Sequence, residues 1–309
     1  MHEVTGWGPV VAFLLLAVAF ALLRPETFLT WNTLFTILNN QAVLAIVALG
    51  LTVVLIAGQF DLSIGFILTF AGALSATLVA TMGVPPIVAW IVVIVVGAVV
   101  GVANGVLVTY FQVPALVATL AVGTILEGLT LFVTNGETIF RGLDEYLPIG
   151  RWTIGGIQAP TIYLVVIAAA LWAFLRYTPA GRYIHAVGAN PAASRVAGIR
   201  VDRYVILAFV VAGVLAAFAG IVQTARNGSA TPTAGVTFLL PAFAAAFLGS
   251  VTLRRGEFHV FGTVIGVYLI ATGSLGFVLL GAPFYTQQLF AGFVLILATA
   301  GTRFLRRAG

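Results

Sequence analysis

Ten long apolar runs leave this chain few ways to fold. They occupy residues 6–23, 33–57, 63–82, 86–110, 115–134, 160–176, 204–225, 236–251, 258–280 and 286–304, the run 236–251 being the shortest. A helix crosses a bilayer with about 20 largely apolar residues. The 309 residues are 61% hydrophobic and 7% charged, against about 25% charged in a soluble domain, so polar groups could not cover a soluble surface. The expected fold is all-α: a polytopic membrane protein of ten transmembrane helices. The first run lacks a basic start and a small-residue exit, and Arg24-Pro25 follows it directly. It reads as a retained helix rather than a cleaved leader.

The arginines test that count. With the N-terminus inside, ten crossings place 177–203, 252–257 and the tail from 303 on the cytoplasmic side, with the end of the sixth run. Arg176, Arg182, Arg195, Arg200, Arg203, Arg254, Arg255, Arg303, Arg306 and Arg307 fall there, while Arg24, Arg141, Arg151 and Arg226 fall outside. That asymmetry is the positive-inside pattern, and it puts both termini in the cytoplasm. The connections leave no room for a soluble domain. Residues 1–309 therefore read as one transmembrane domain with an outer loop at 135–159 and an inner loop at 177–203.

All 14 basic residues are arginine. Without lysine there is no P-loop to hold a nucleotide's terminal phosphates and no Schiff-base chemistry. Without cysteine there are no disulfides, thiolate metal sites or cysteine nucleophiles. His2, His185 and His259 have no metal-ligand neighbour at i+3 or i+4, and no nucleophile elbow or catalytic carboxylate pair stands out. The chain reads as a non-enzyme that binds no cofactor or metal. Its net charge of +5 is a matter of membrane sidedness, not of nucleic-acid binding.

Polar residues among such runs need a reason. Gln59-Phe60-Asp61-Leu62-Ser63-Ile64-Gly65 separates the second and third runs. Asp61 and Ser63 can cap the following helix by accepting its free N–H groups, making a tight inner turn. Alternatively the segment is a broken helix lining a translocation path, where polar backbone is tolerated. Asn39-Asn40-Gln41 lies early in the second run. Three consecutive amides cannot share one helix face, so they bond to another helix or form a site for a hydroxyl-rich solute. Glu127, among Ile125, Leu126, Leu129 and Leu131, reaches outer water, pairs with an arginine such as Arg141, or serves solute passage. Asn104 follows Gly97-x-x-x-Gly101-x-x-x-Gly105, a small-residue seam for close helix approach, and reads as structural glue beside the path. Gln223 and Arg226 read as rim residues. An ion-coupled transporter using Asp61 or Glu127 as its coupling carboxylate is the alternative to a permease driven by another chain.

Within the inner loop, Asn190 suits an N-cap and Pro191 the first helical position. Ala192, Ala193 and Arg195 follow, and Gly198 can end the segment in a left-handed cap. This predicts a helix of about two turns, too short to be stable alone, so either a partner holds it or it merely connects two spans.

Asp61-Leu62-Ser63-Ile64-Gly65, with Gly188, Asn190, Ala192, Ala193, Gly198 and Ile199, resembles the motifs of the ribose-type permeases of bacterial ABC importers for monosaccharides. Pro114-Ala115-Leu116-Val117-Ala118-Thr119-Leu120 is similar to a segment that opens one of that family's spans. The resemblance covers about residues 33–305. Gly249–Glu257 departs from it, with fewer glycines and the Arg254-Arg255 pair. The resemblance implies a permease in the bacterial inner membrane, paired with a second permease subunit, identical or homologous. It also implies a cytoplasmic ATPase that binds ATP and Mg in two nucleotide-binding halves, and a periplasmic or lipid-anchored sugar-binding protein. Gly188–Gly198 would be the coupling segment that docks on the ATPase.

Overall fold

A computed structural model describes residues 8–251, 256–283 and 285–307; His2, Arg254 and Arg255 lie outside them. The chain forms α1 (Gly8–Leu23), α2 (Pro25–Phe28), α3 (Trp31–Asn40), α4 (Ala42–Ile56), α5 (Ile64–Ala80), α6 (Pro86–Thr109) and α7 (Ala115–Thr134). A short helix and a two-stranded hairpin follow: α8 (Pro148–Arg151), β1 (Thr153–Ile154) and β2 (Ile157–Gln158). The rest is helical: α9 (Ala159–Tyr177), α10 (Pro179–Ala189), α11 (Pro191–Val196), α12 (Val201–Asn227), α13 (Val236–Val251), α14 (Val260–Leu279) and α15 (Tyr285–Arg307).

Each of the ten apolar runs coincides with a helix or a bent helix pair. Among the described residues α6, α7, α9, α12 and α14 are each long and apolar enough to cross a membrane. The second run differs from the single helix expected: it breaks at Gln41 into α3 and α4, inclined by 41°. Asn39 and Asn40, which bond sideways as described below, immediately precede the break. The protein is thus a helical, multi-pass membrane protein.

Its centre is α4. Every residue from Ala42 to Ile56 is buried, and an all-apolar helix is stable only when enclosed on every side. α12, the longest at 27 residues, packs against α4, α5 and α6. The glycine seam lies on this crossing. Gly97 faces Gly213, Gly101 faces the Phe209 carbonyl, and Gly105 faces Ile206, so closely that a Cβ at any of the three would come within 2.7 Å of its neighbour. The reading of the seam as a surface for close approach is borne out. Outward, α6 and α7 expose Ile87, Ile91, Val95, Val99, Val117 and Ile125.

The 135–159 segment is more ordered than a loop. Tyr146 is fully buried, its hydroxyl shares a 2.7 Å hydrogen bond with Ser75 of α5, and burial pushes its phenol above the ordinary range. At the other end of the bundle, 177–203 folds into α10 and α11. Only α11 was legible beforehand, although Thr178, which accepts the Gly181 N–H at 3.0 Å, and Pro179 give α10 an ordinary helix start.

Candidate functional site

The Gly58–Ser63 turn carries two polar side chains, Asp61 and Ser63, into the interior. Gly50, midway along α4, packs against Ala212 of α12 and the side chain of Ile64; a Cβ there would stand 3.3 Å from both. Ile56 lies six residues further on, about 9 Å by helix rise. The chain therefore doubles back between Ile56 and Ile64, and Gly58 makes the reversal with φ +76°. Asp61 and Ser63 end up fully buried, each 0% exposed.

Their hydrogen bonds form a chain. Asp61 Oδ1 accepts from the Ser63 N–H at 2.8 Å and from the Ser63 hydroxyl at 2.5 Å. Asn104 Nδ2 of α6 donates to Ser63 Oγ at 2.8 Å. Thr119 Oγ1 of α7 accepts the Leu62 N–H at 3.0 Å. Asp61 Oδ2 and Asn104 Oδ1, both buried, have no hydrogen-bond partner among the described residues. Buried acceptors are nearly always satisfied, so each of the two is a place where a proton donor belongs: a hydroxyl, a water or a proton.

One detail corrects the sequence reading. Ser63 stands at the N-cap of α5 but has helical φ/ψ of −76° and −15°, and its side chain makes no cap hydrogen bond. From that conformation the hydroxyl cannot reach the first-turn N–H groups, and it bridges Asp61 and Asn104 instead. Asn104, next to the glycine seam, bonds to the turn. Thr119 was missed as an anchor, although it lies in the Pro114–Leu120 motif.

Gln59 and Phe60 leave this turn to line a cavity of about 1080 Å³, together with Gly188 and Ala189 of α10 and Arg176 of α9. Beyond it, α11 has the structure expected of it. Asn190 Oδ1 accepts the Ala193 N–H at 3.0 Å, Pro191 takes the first helical position, and Gly198 closes the segment with φ +79°. Pro191, Ala192, Ala193, Arg195 and Val196 are exposed, Val196 at 92%. Arg195 pairs with Asp202 of α12 at 3.8 Å, both side chains largely in solvent.

The other predicted residues lie elsewhere. Asn39 donates to the Gly156 carbonyl at 3.0 Å and accepts from the Gln158 N–H and the Thr161 hydroxyl, each at 2.9 Å. It clips the hairpin and the start of α9 to α3. Asn40 Oδ1 accepts from Arg226 Nη2 at the end of α12, and Gln41 occupies the bend. Asn39 and Asn40 thus bond to other elements. Glu127 is exposed on α7 with no hydrogen bond or ion pair among the described residues. It does not pair with Arg141, which lies over the Phe140 ring at 5.4 Å. His259 accepts the Gly262 N–H through Nδ1 at 2.9 Å, which makes it the N-cap of α14.

The fold is a multi-pass helical bundle with a buried polar turn beside a large cavity and a capped helix exposed beyond it. Comparison with known proteins gives the family. A family model described as the permease component of a branched-chain amino acid transport system matches residues 33–299, and the chain belongs to that permease family. The ribose import permease of Escherichia coli (strain K12) is 37% identical over 292 residues, 93% of this chain and 90% of the relative. That of Bacillus subtilis (strain 168) is 37% identical over 294 residues, 94% of this chain and 90% of the relative. The D-allose transport system permease of Escherichia coli (strain K12) is 30% identical over 304 residues, 97% and 93%. No solved structure matches the chain. The resemblance carried by the two motifs is borne out.

Proposed function

We propose that this chain is the permease subunit of an ATP-driven importer that carries a monosaccharide, or a similar small polyol or furanose, across the bacterial inner membrane. It crosses that membrane ten times with both ends in the cytoplasm, as a single domain. A second permease subunit completes the pathway, a sugar-binding protein delivers solute outside, and a cytoplasmic ATPase holds the ATP and Mg. Membrane lipid covers the apolar faces of α6 and α7. The observation that carries this reading is α11: a six-residue helix, fixed at both ends, presenting small and apolar residues away from the bundle at its arginine-rich end. The relatives named for ribose and allose import supply the solute class.

On this reading α11 docks on the ATPase, and nucleotide binding there moves α10–α11. Access to the pathway alternates by largely rigid-body motion. The Gln59–Ser63 turn and Asn104 border the pathway, and their open acceptors receive solute hydroxyls. Asn40, Gln41 and Glu127 belong to its outer approach, which Asn39 supports by holding the hairpin.

Proteoliposomes containing the permease, its ATPase and its binding protein should take up radiolabelled ribose or allose only with ATP inside, and a protonophore should leave uptake intact. Uptake that stops with the protonophore and ignores ATP would establish the ion-coupled alternative.

A further inference from the structure

The end of α10 meets the end of α4 without any intervening side chain. Gly188 packs so tightly on the Ile56 carbonyl that a Cβ on it would stand 1.7 Å from that oxygen, and a Cβ on Gly58 would stand 3.4 Å from Gly188 Cα and its carbonyl. This is backbone against backbone, and no hydrogen bond joins Gly188 to Ile56 or Gly58. Contacts of this kind separate without stranding a donor or acceptor.

On one side the contact is connected to α11. Asn190 is at once the last cap of α10, donating its N–H to the Ala186 carbonyl at 3.0 Å, and the N-cap of α11. Gly188 is therefore two residues from the exposed helix. On the other side, Gly58 leads through Gln59 into the Asp61–Ser63 turn. Next to the contact lies the cavity of about 1080 Å³, lined by Gly58, Gln59, Gly188 and Ala189. Protein interiors are close-packed and move only where there is room. The tip of α10 is blocked toward α4 and open toward the cavity.

The geometry points to Gly188 as a positioning residue for transport: its seat against Ile56 and Gly58 holds the Asp61 turn in place, and withdrawal of the α10 tip into the cavity releases that turn. This rests on the reading of α11 as the helix that docks on the ATPase. Movement of α11 then reaches the polar turn through Asn190 and one backbone contact, with no long relay.

Gly188→Ala would test this poorly, because the added methyl group collides with backbone and can prevent folding. The chain has no cysteine, so a reversible tether is available. Gln59→Cys with Ala189→Cys, bridged by a short bis-methanethiosulfonate, ties the α10 tip to the turn. In proteoliposomes with ATPase and binding protein, bridging should lower ATP-dependent ribose uptake roughly ten-fold, within the usual 5- to 150-fold range of coupling between sites. The ATPase should still co-purify, dithiothreitol should restore uptake, and either single-cysteine protein treated alike should keep the uptake that it shows untreated. Undiminished uptake in the fully bridged protein would overturn the proposal, as would a loss that dithiothreitol does not reverse. Release of the ATPase on bridging would also overturn it, since the tether would then act on docking. Failure of the docking reading itself is separate: it would show as an ATPase indifferent to changes on the exposed face of α11.

Discussion

Two polar clusters interrupt the apolar runs, and the bundle uses them in opposite ways. At Asn39–Gln41 the polar atoms reach outward across the fold: Asn39 holds Gly156, Gln158 and Thr161, and Asn40 holds Arg226. At Asp61–Ser63–Asn104 the bonds stay within the cluster and leave Asp61 Oδ2 and Asn104 Oδ1 buried without partners among the described residues. The Asn39 carboxamide is bonded through both its oxygen and its nitrogen, although Gln158 Oε1 beside it has no partner among the described residues, and such bonding stiffens the architecture at modest net gain. An unsatisfied cluster in a dry interior costs stability and is retained where function needs an open valence. The first cluster is a clip; the second is, on the function proposed above, the site.

Substitutions can break or sharpen that contrast. The largest effect belongs to Asp61→Asn. The amide oxygen still accepts from Ser63, so the protein should reach the membrane at normal levels. Uptake should nevertheless fall about 10- to 100-fold, the worth of a hydrogen bond to a charged group. Normal uptake at equal expression would reduce the turn to a connector and erase the distinction.

Asn39→Ala should show the reverse pattern. It removes three hydrogen bonds and strands backbone groups of the hairpin, at a cost of about 2–4 kcal/mol. Thermal unfolding in detergent should come at clearly lower temperature, while uptake per folded molecule stays near normal. A solute-specific loss of uptake with unchanged stability would move Asn39 into the site.

Thr119→Val keeps the shape of the side chain but takes away the acceptor for the Leu62 N–H. The expected cost is about 1–2 kcal/mol, with a partial loss of uptake because the turn is loosened rather than removed. The smallest effect is expected for Arg226→Gln, whose contact with Asn40 lies at the half-open rim. Less than about 1 kcal/mol should be lost, with uptake unchanged; a larger loss would tie the rim to solute delivery.

Hydrophobic run length alone located every long helix, because a bilayer solvent permits little else. α11 was legible for a different reason: Asn190, Pro191 and Gly198 each act within a few residues of their own position. What could not be read depends on distant partners. The bonds just before the break at Gln41 run to residues near 156–161 and to Arg226. The Ser63 hydroxyl turns toward Asn104, 41 residues away, rather than serving its own helix. Gly188 and Gly58 look like ordinary turn glycines until the fold sets one against the other. Glu127 stood out by its charge, yet nothing in its neighbourhood of the sequence says whether its helix face looks into the bundle or away from it.

The central claim is that α11 is the surface by which this permease is driven, and co-purification of the ATPase with Ala193→Trp tests it most directly. Ala193 is exposed on a helix of barely two turns, so docking there depends on close fit. A tryptophan overpacks that contact at about 1–3 kcal/mol, weakening docking roughly 5- to 150-fold. The account predicts a protein inserted at normal levels that retains little ATPase and imports no sugar, while Thr153→Trp, on the hairpin at the opposite end, keeps both. An Ala193→Trp permease that retains its full complement of ATPase and normal uptake would contradict it.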